Sequence, residues 1–195
     1  MTLLVVPCQH LNLAVLSPDQ AQLESDFQLS NLAHLAPWSP QRPDDYYTPE
    51  QVRLRLEQQA TAFETGNAVH FAMLDPVSGK MIGTCNFTGI IRGAFQACFL
   101  GYALAESHQG RGLMHEALET GIGYMFDELK LHRIMANYLP ENARSARVLE
   151  RLGFEREGFA KAYLNIAGKW QDHVLTALVN AKGDDGGFAE GMCRK

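Results

Sequence analysis

The run His108-Gln109-Gly110-Arg111-Gly112-Leu113-Met114 constrains this chain more than any other stretch. It follows Cys98-Phe99-Leu100-Gly101-Tyr102-Ala103-Leu104, which reads as a buried strand, and it leads into a helical run from Glu116 to Leu129. A strand, a glycine-bearing turn and a helix are how a backbone cradles a phosphorylated ligand. Glycine lets the chain approach closely, and the unpaired N–H groups of a helix start point at the anion. The ligand this predicts is a pyrophosphate. The helix carries Leu118, Ile122, Met125, Phe126 and Leu129 as a stripe of 3.6-residue period. A further strand, Arg133 to Leu139, then makes the helix a parallel crossover.

Around this crossover the chain reads as a mixed α/β sheet. Leu11 to Leu16 is a first strand, and Ser17-Pro18 opens a helix through about Leu32, with a capping hydroxyl before a proline at the first turn. Pro37 to Pro49 holds Trp38, Tyr46, Tyr47 and four prolines and is read as a loop. Aromatic loops of this length carry function more often than they merely connect. Thr48-Pro49 starts a second helix with Val52, Leu56, Ala60 and Phe63 on one face. Val69 to Leu74 and Met81 to Phe87 form a hairpin around Asp75-Pro76-Val77-Ser78-Gly79, and Gln96 to Ala105 is the strand before the glycine turn. Asn142 to Leu152 is a short helix closed by Gly153, and Phe154 to Leu164 pairs with Lys169 to Leu178 as a last hairpin. Residues 1–181 are expected to form one domain, and residues 182–195, rich in Gly and Asp, a frayed tail.

With 195 residues, two full domains are not expected. The net charge of −5 argues against nucleic acid as the main ligand and suits a basic protein partner. Cys8, Cys85, Cys98 and Cys193 are too dispersed for a zinc site or a redox pair, and they suit a reducing compartment. Met1 to Val6 is apolar but lacks the basic flank and cleavage site of a leader, and no apolar run approaches a membrane span. A cytoplasmic protein without a membrane partner is expected.

Gln109-Gly110-Arg111-Gly112-Leu113-Met114 resembles the acetyl-CoA signature of the GNAT superfamily of N-acetyltransferases. Met114 stands where that family usually has glycine or alanine; a contact made through main chain tolerates this. The likeness extends in family order through Trp38, Ile82-Gly83, Asn86-Phe87, Gly101-Tyr102, Arg133 to Tyr138, Asn142 with Ser145, Leu152-Gly153-Phe154, and Trp170 with Asp172. It is most similar to the branch that acetylates the N-terminal alanine of a ribosomal protein, small-subunit protein S5. The resemblance implies about four helices and a mixed sheet of about seven strands, splayed between the fourth and fifth. It implies acetyl-CoA as co-substrate, with no metal. The pyrophosphate would lie on the backbone of Gln109, Gly110, Arg111, Gly112, Leu113 and Met114, and the pantetheine arm would pair with Tyr102, Ala103 and Leu104.

Acetyl transfer to an amine needs a neutral nitrogen, a donor for developing negative charge, and a proton for the leaving thiolate. An α-amine of pKa ~8 is roughly one-fifth neutral near pH 7.4, against about one lysine in a thousand. A peptide terminus therefore asks little of a base. Two roles are open for Asn142 and Ser145. Asn142 caps the short helix with Ser145 in its first turn, or, as the family implies, Asn142 touches pantetheine and Ser145 protonates the sulfur; the two are compatible. In a related branch the base is a glutamate ten residues after the Gly-Phe phenylalanine, and here that count lands on Leu164. Glu106 is the substitute, with a solvated loop carboxylate as its other reading. Asp172 either acts as base or orders its turn. Arg111 neutralises pyrophosphate or is solvated, and His108 contacts a phosphate or is a surface residue. Trp38, Tyr46 and Tyr47 line the peptide entrance or anchor their loop. Acetylation of a small amine or antibiotic on the same fold stays open, as does a non-catalytic acyl-CoA or ribosomal-protein docking module.

Overall fold

A computed structural model describes residues 2–181; the tail expected at 182–195 lies outside the described residues. The sheet has eight strands: β1 Leu4–Pro7, β2 Asn12–Val15, β3 Val69–Leu74, β4 Met81–Ile91, β5 Ala97–Leu104, β6 Arg133–Met135, β7 Glu155–Ile166 and β8 Lys169–Val179. Their order is β1-β2-β3-β4-β5-β6-β8-β7. The helices are α1 Ala21–Ser30, α2 Leu32–Leu35, α3 Pro49–Glu64, α4 Leu113–Asp127 and α5 Ala143–Arg151. The expected class holds, with one more strand and one more helix than expected. The added strand is β1, the apolar start weighed above only as a leader. It pairs antiparallel with β2, Val5 opposite Ala14, through a turn closed by Cys8 N–H on the Leu11 carbonyl at 2.9 Å.

Alternation along the strands assigns each face a helical layer. Leu13, Val15, Phe71, Met73, Cys85 and Phe87 turn to α4, which buries Ala117, Leu118, Ile122 and Met125 against them. Ala14, Leu16, Ala72 and Met81 turn to the other side, under Phe27 of α1 and Val52 and Leu56 of α3. Leu118 is fully buried, and truncating such a leucine costs ~2–5 kcal/mol. The caps read from sequence are present. Ser17 and Gln20 form a capping box, and Thr48 Oγ1 accepts from Gln51 N at 3.4 Å at the start of α3.

Only β5 and β6 run parallel, joined through α4, and their ladder has three register positions: Ala97↔Arg133, Cys98↔Ile134 and Phe99↔Met135. The strand expected from Arg133 to Leu139 therefore stops at Met135. Beyond it the backbone is drawn to the other neighbour, Ala136 N–H to Thr176 O at 3.0 Å and Tyr138 N–H to Val174 O at 3.1 Å. β5 meanwhile continues to Leu104, paired only with β4. The two strands part there, as expected of the fourth and fifth, and the outer edge of Tyr102–Leu104 faces the gap.

Gly83 keeps β4 close at this point. A Cβ on it would stand 2.6 Å from the Ala103 carbonyl oxygen and 2.6 Å from Met73 Sδ. Among the described residues no helix is long and apolar enough to cross a membrane.

Candidate active site

After Leu104 the chain makes a short 3-10 turn over Glu106–His108, then Gly110 at φ +75° and Gly112 at φ +78° swing it into α4. A Cβ on either glycine would meet nothing within 4 Å. The left-handed backbone alone favours glycine at both positions, and the open space leaves room on the cleft side. The first N–H groups of α4 have no partner within the helix and open into a cleft of about 950 Å³. Tyr102–Leu104 line one side of it, and Asn142 with Ser145 on α5 line the other. Gln109 spans the mouth: Arg144 donates to its Oε1, and its Nε2 meets His34 Nε2 of α2 at 2.8 Å.

The Asn142–Ser145 pair forms the expected cap, and the same geometry sets Ser145 in the cleft. Asn142 Oδ1 accepts from Ser145 N at 3.0 Å, the N-cap of α5. The cap holds Ser145 so that its Oγ lies 2.5 Å from the Tyr102 hydroxyl. Burial pushes the Tyr102 phenol up to about 12, against the opposing pull of the bond to Ser145, so it stays protonated. The cleft thus offers a donating hydroxyl pair beside the free edge of β5. Arg144, Arg147 and Arg151, none of them singled out from sequence, line the cleft together. Their spacing on α5 puts all three on one face and makes that wall cationic.

A second cleft, about 760 Å³, lies on the α1/α3 side of the sheet. Its floor includes His70, Ala72, Thr84 and Asn86, and its walls include Glu24, Tyr46, Tyr47 and Arg55. The two clefts share Leu35, Ser39 and Ala103 and so meet at β5. The connector between α2 and α3 is pinned as a wall. Ser25 Oγ donates to Tyr47 O at 2.6 Å, Arg55 donates to Tyr46 O at 2.6 Å, and the Arg55 guanidinium stacks 3.7 Å over the Tyr46 ring. Glu24 accepts from Gln28 at 2.6 Å and lies 3.9 Å from Arg55. Burial nevertheless raises its carboxyl above the ordinary range.

The aromatic trio divides: Trp38 lines the first cleft, while Tyr46 and Tyr47 line the second. Met114 lines the first cleft and is buried in the main core. Arg111 is exposed, outside the wall. Glu106 is also exposed and outside both walls, its N–H bonded to Asn31 Oδ1 at 3.3 Å. Leu164 sits 45% exposed on β7. Asp172 accepts from Ala162 N at 2.8 Å and so orders the bulge of that strand. His70, Glu24 and Arg55 were not singled out from sequence, and Asn86 was named only among the residues that carry the family likeness, because their meeting depends on strand register and helix packing. Among the described residues no group of three or more His, Cys, Asp or Glu is placed to hold a metal.

A glycine turn with open helix-start N–H groups, an open strand edge, a hydroxyl pair and a second cleft meeting the first suit one chemistry: a long phosphorylated carrier whose reactive end meets an acceptor from the opposite side. Residues 13–155 match the acetyltransferase (GNAT) domain. The chain is 46% identical to the [ribosomal protein uS5]-alanine N-acetyltransferase of Escherichia coli K12 over 79% of each chain. Among solved structures it resembles the ribosomal-protein-S5-alanine acetyltransferase of Vibrio fischeri, with a TM-score of 0.88, 38% identity, and coverage of 91% of this chain and 97% of that one. It also resembles Mycobacterium smegmatis RimJ in complex with CoA-disulfide, with a TM-score of 0.85, 28% identity, and coverage of 91% and 88%.

Proposed function

The chain belongs to the GNAT family of acetyltransferases, and from that premise we propose that it carries acetyl from acetyl-CoA to the α-amine of an N-terminal alanine on a ribosomal protein, small-subunit protein uS5. Residues 1–181 act as one domain in the cytoplasm, and transfer is direct, within a ternary complex. The observation that carries this reading is the meeting of the two clefts at Ala103. A thioester brought there from one side is open to an amine from the other.

The 950 Å³ cleft suits acetyl-CoA as a co-substrate. Its diphosphate lies on the N–H groups of Gln109 to Met114, where the helix dipole adds to the hydrogen bonds. Arg144, Arg147 and Arg151 offset the phosphate charge. The pantetheine arm pairs with the free edge of Tyr102–Leu104 as a short added strand, beside Asn142. Ser145 then gives its proton to the departing sulfur, with the Tyr102 hydroxyl donating to Ser145 in turn.

The acceptor side suits a peptide terminus. Ala72, Thr84 and Ala103 leave room for a small first side chain, and Tyr46 and Tyr47 flank the entrance. Residues 18–64, which form the cover of this cleft, carry eight Asp and Glu against three Arg. That surplus equals the net −5 of the whole chain, so the acidic character is concentrated in the elements that cover this cleft, where it attracts a basic protein. The 46% identity to a uS5-alanine acetyltransferase supports the choice of substrate. The test is incubation with labelled acetyl-CoA and unmodified total ribosomal proteins, followed by mass spectrometry. Label on the N-terminal alanine of uS5 is the expected result; label only on lysines or other proteins, or none, overturns this reading.

A further inference from the structure

On the floor of the acceptor cleft one group has no place in the steps above. His70 on β3 stands opposite Asn86 on β4, which stands opposite Gly101 on β5; Ala103 is two residues further on. All four share one sheet face. Strand spacing and rise put the His70 Cα ~12 Å from that of Ala103. This is too far for the ring to touch an amine at Ala103 and short enough for a water relay. Asn86 is the ring's neighbour across the register on the adjacent strand. An amide oxygen that accepts from one ring N–H leaves the other ring nitrogen as an acceptor. We propose that His70 is the proton acceptor of this enzyme, taking through cleft water the proton that the incoming α-ammonium must lose.

The inference rests on the peptide α-amine reading above. Burial holds the imidazole below its ordinary value, only partly opposed by the Asn86 side chain, so the ring is neutral at physiological pH. The other ionisable groups lining the cleft are Glu24 from α1, Arg42, Asp44, Tyr46 and Tyr47 from the connector, and Arg55 from α3. The cations and phenols are poor acceptors at neutral pH. Glu24 is engaged by Gln28 and Arg55 on the helical side, away from the strand floor. The proton count closes. Of three ammonium protons, one passes to His70 and on to solvent. A second is lost as the C–N bond forms and the C–S bond breaks, and it restores to the Ser145–Tyr102 pair, through cleft water, the proton given to sulfur. One stays on the product amide.

The test is the pH profile of kcat/KM from about pH 6 to about pH 9.5, with an alanine-initiated uS5 peptide, for wild type, His70→Gln and Glu24→Gln. His70→Gln is expected to fall ~10-fold near pH 7, where about one amine in ten is already neutral, and to converge on wild type above the amine pKa of ~8, where the acceptor needs no base. Free imidazole should restore rate to His70→Ala, and calorimetry should find CoA affinity unchanged in each variant, so misfolding is separated from chemistry. A His70→Gln profile that tracks wild type, a loss equal at every pH without imidazole rescue, or the same acid-limb loss from Glu24→Gln instead overturns the assignment. A wild type inert towards the peptide sinks the substrate reading and this inference with it. An active wild type matched by His70→Gln sinks this inference alone.

Discussion

The hydroxyls of Ser145 and Tyr102 lie 2.5 Å apart beside the β5–β6 gap, so in the proposed reaction they act as a unit. Ser145→Ala removes the proposed proton donor to sulfur and should lower kcat ~10²-fold with CoA affinity nearly intact. Tyr102→Phe leaves Ser145 in place and should cost less, ~10-fold, and the double variant should fall little below Ser145→Ala because the two share one pathway. Additive losses in steady-state kinetics would separate the roles. Glu24 shows how burial bears on stability. Its folded-state pKa is raised, chiefly by desolvation, so its favourable contribution is complete below the unfolded value of ~4.5 and lost as pH rises through the folded value. Glu24→Gln should therefore gain stability relative to wild type as pH rises, and denaturant titrations at acidic and neutral pH check the sign. At this scale the sequence disclosed Ser145 and Asn142, since a helix start announces itself locally. It did not disclose His70, which is one residue of an ordinary strand until register sets Asn86 beside it.

Elements set where those residues stand. The turn into α4 needs glycine for its dihedral angles, and open space surrounds each missing Cβ. Gly112→Ala should then cost ~1–2 kcal/mol of stability in chemical denaturation while CoA still binds. Gly112→Asp adds a negative charge where phosphate must lie and should abolish binding in calorimetry. Equal loss of affinity in both would mean that space, not backbone angle or charge, is limiting. Most elements were legible because each carries a local signal: Ser17 and Thr48 at helix starts, Gly153 past a helix end, alternation in the β3–β4 hairpin. Two boundaries were not. β1 is four residues long and gains its identity only by pairing with β2. The stretch after Met135 is strand-like in sequence but exchanges β5 for β8, a choice between partners that no local pattern encodes.

At the scale of the whole molecule, charge and chemistry are divided between the two faces of the sheet. In the proposed reaction cationic α5 and the α4 N-terminus serve the phosphorylated co-substrate, while residues 18–64, which cover the other cleft, hold the acidic surplus. Attraction of this kind is screened over about 10 Å at 0.1 M salt. KM for a basic acceptor protein should accordingly rise several-fold from low salt to ~0.3 M, with kcat little changed, whereas a short neutral alanine peptide should show no such rise. Equal salt dependence for both acceptors would remove charge from the account of recognition. The claim beneath these expectations is that the parted strands hold acetyl-CoA and deliver its thioester to Ala103, where a peptide terminus reaches it. A crystal structure of the protein with CoA and an alanine-initiated peptide tests it most directly. The account predicts the diphosphate on the amides of Gln109 to Met114, the sulfur beside Ser145 and the α-amine in the cleft floored by His70 and Asn86. A diphosphate bound elsewhere, or a peptide that reaches the sulfur without entering that cleft, would contradict it.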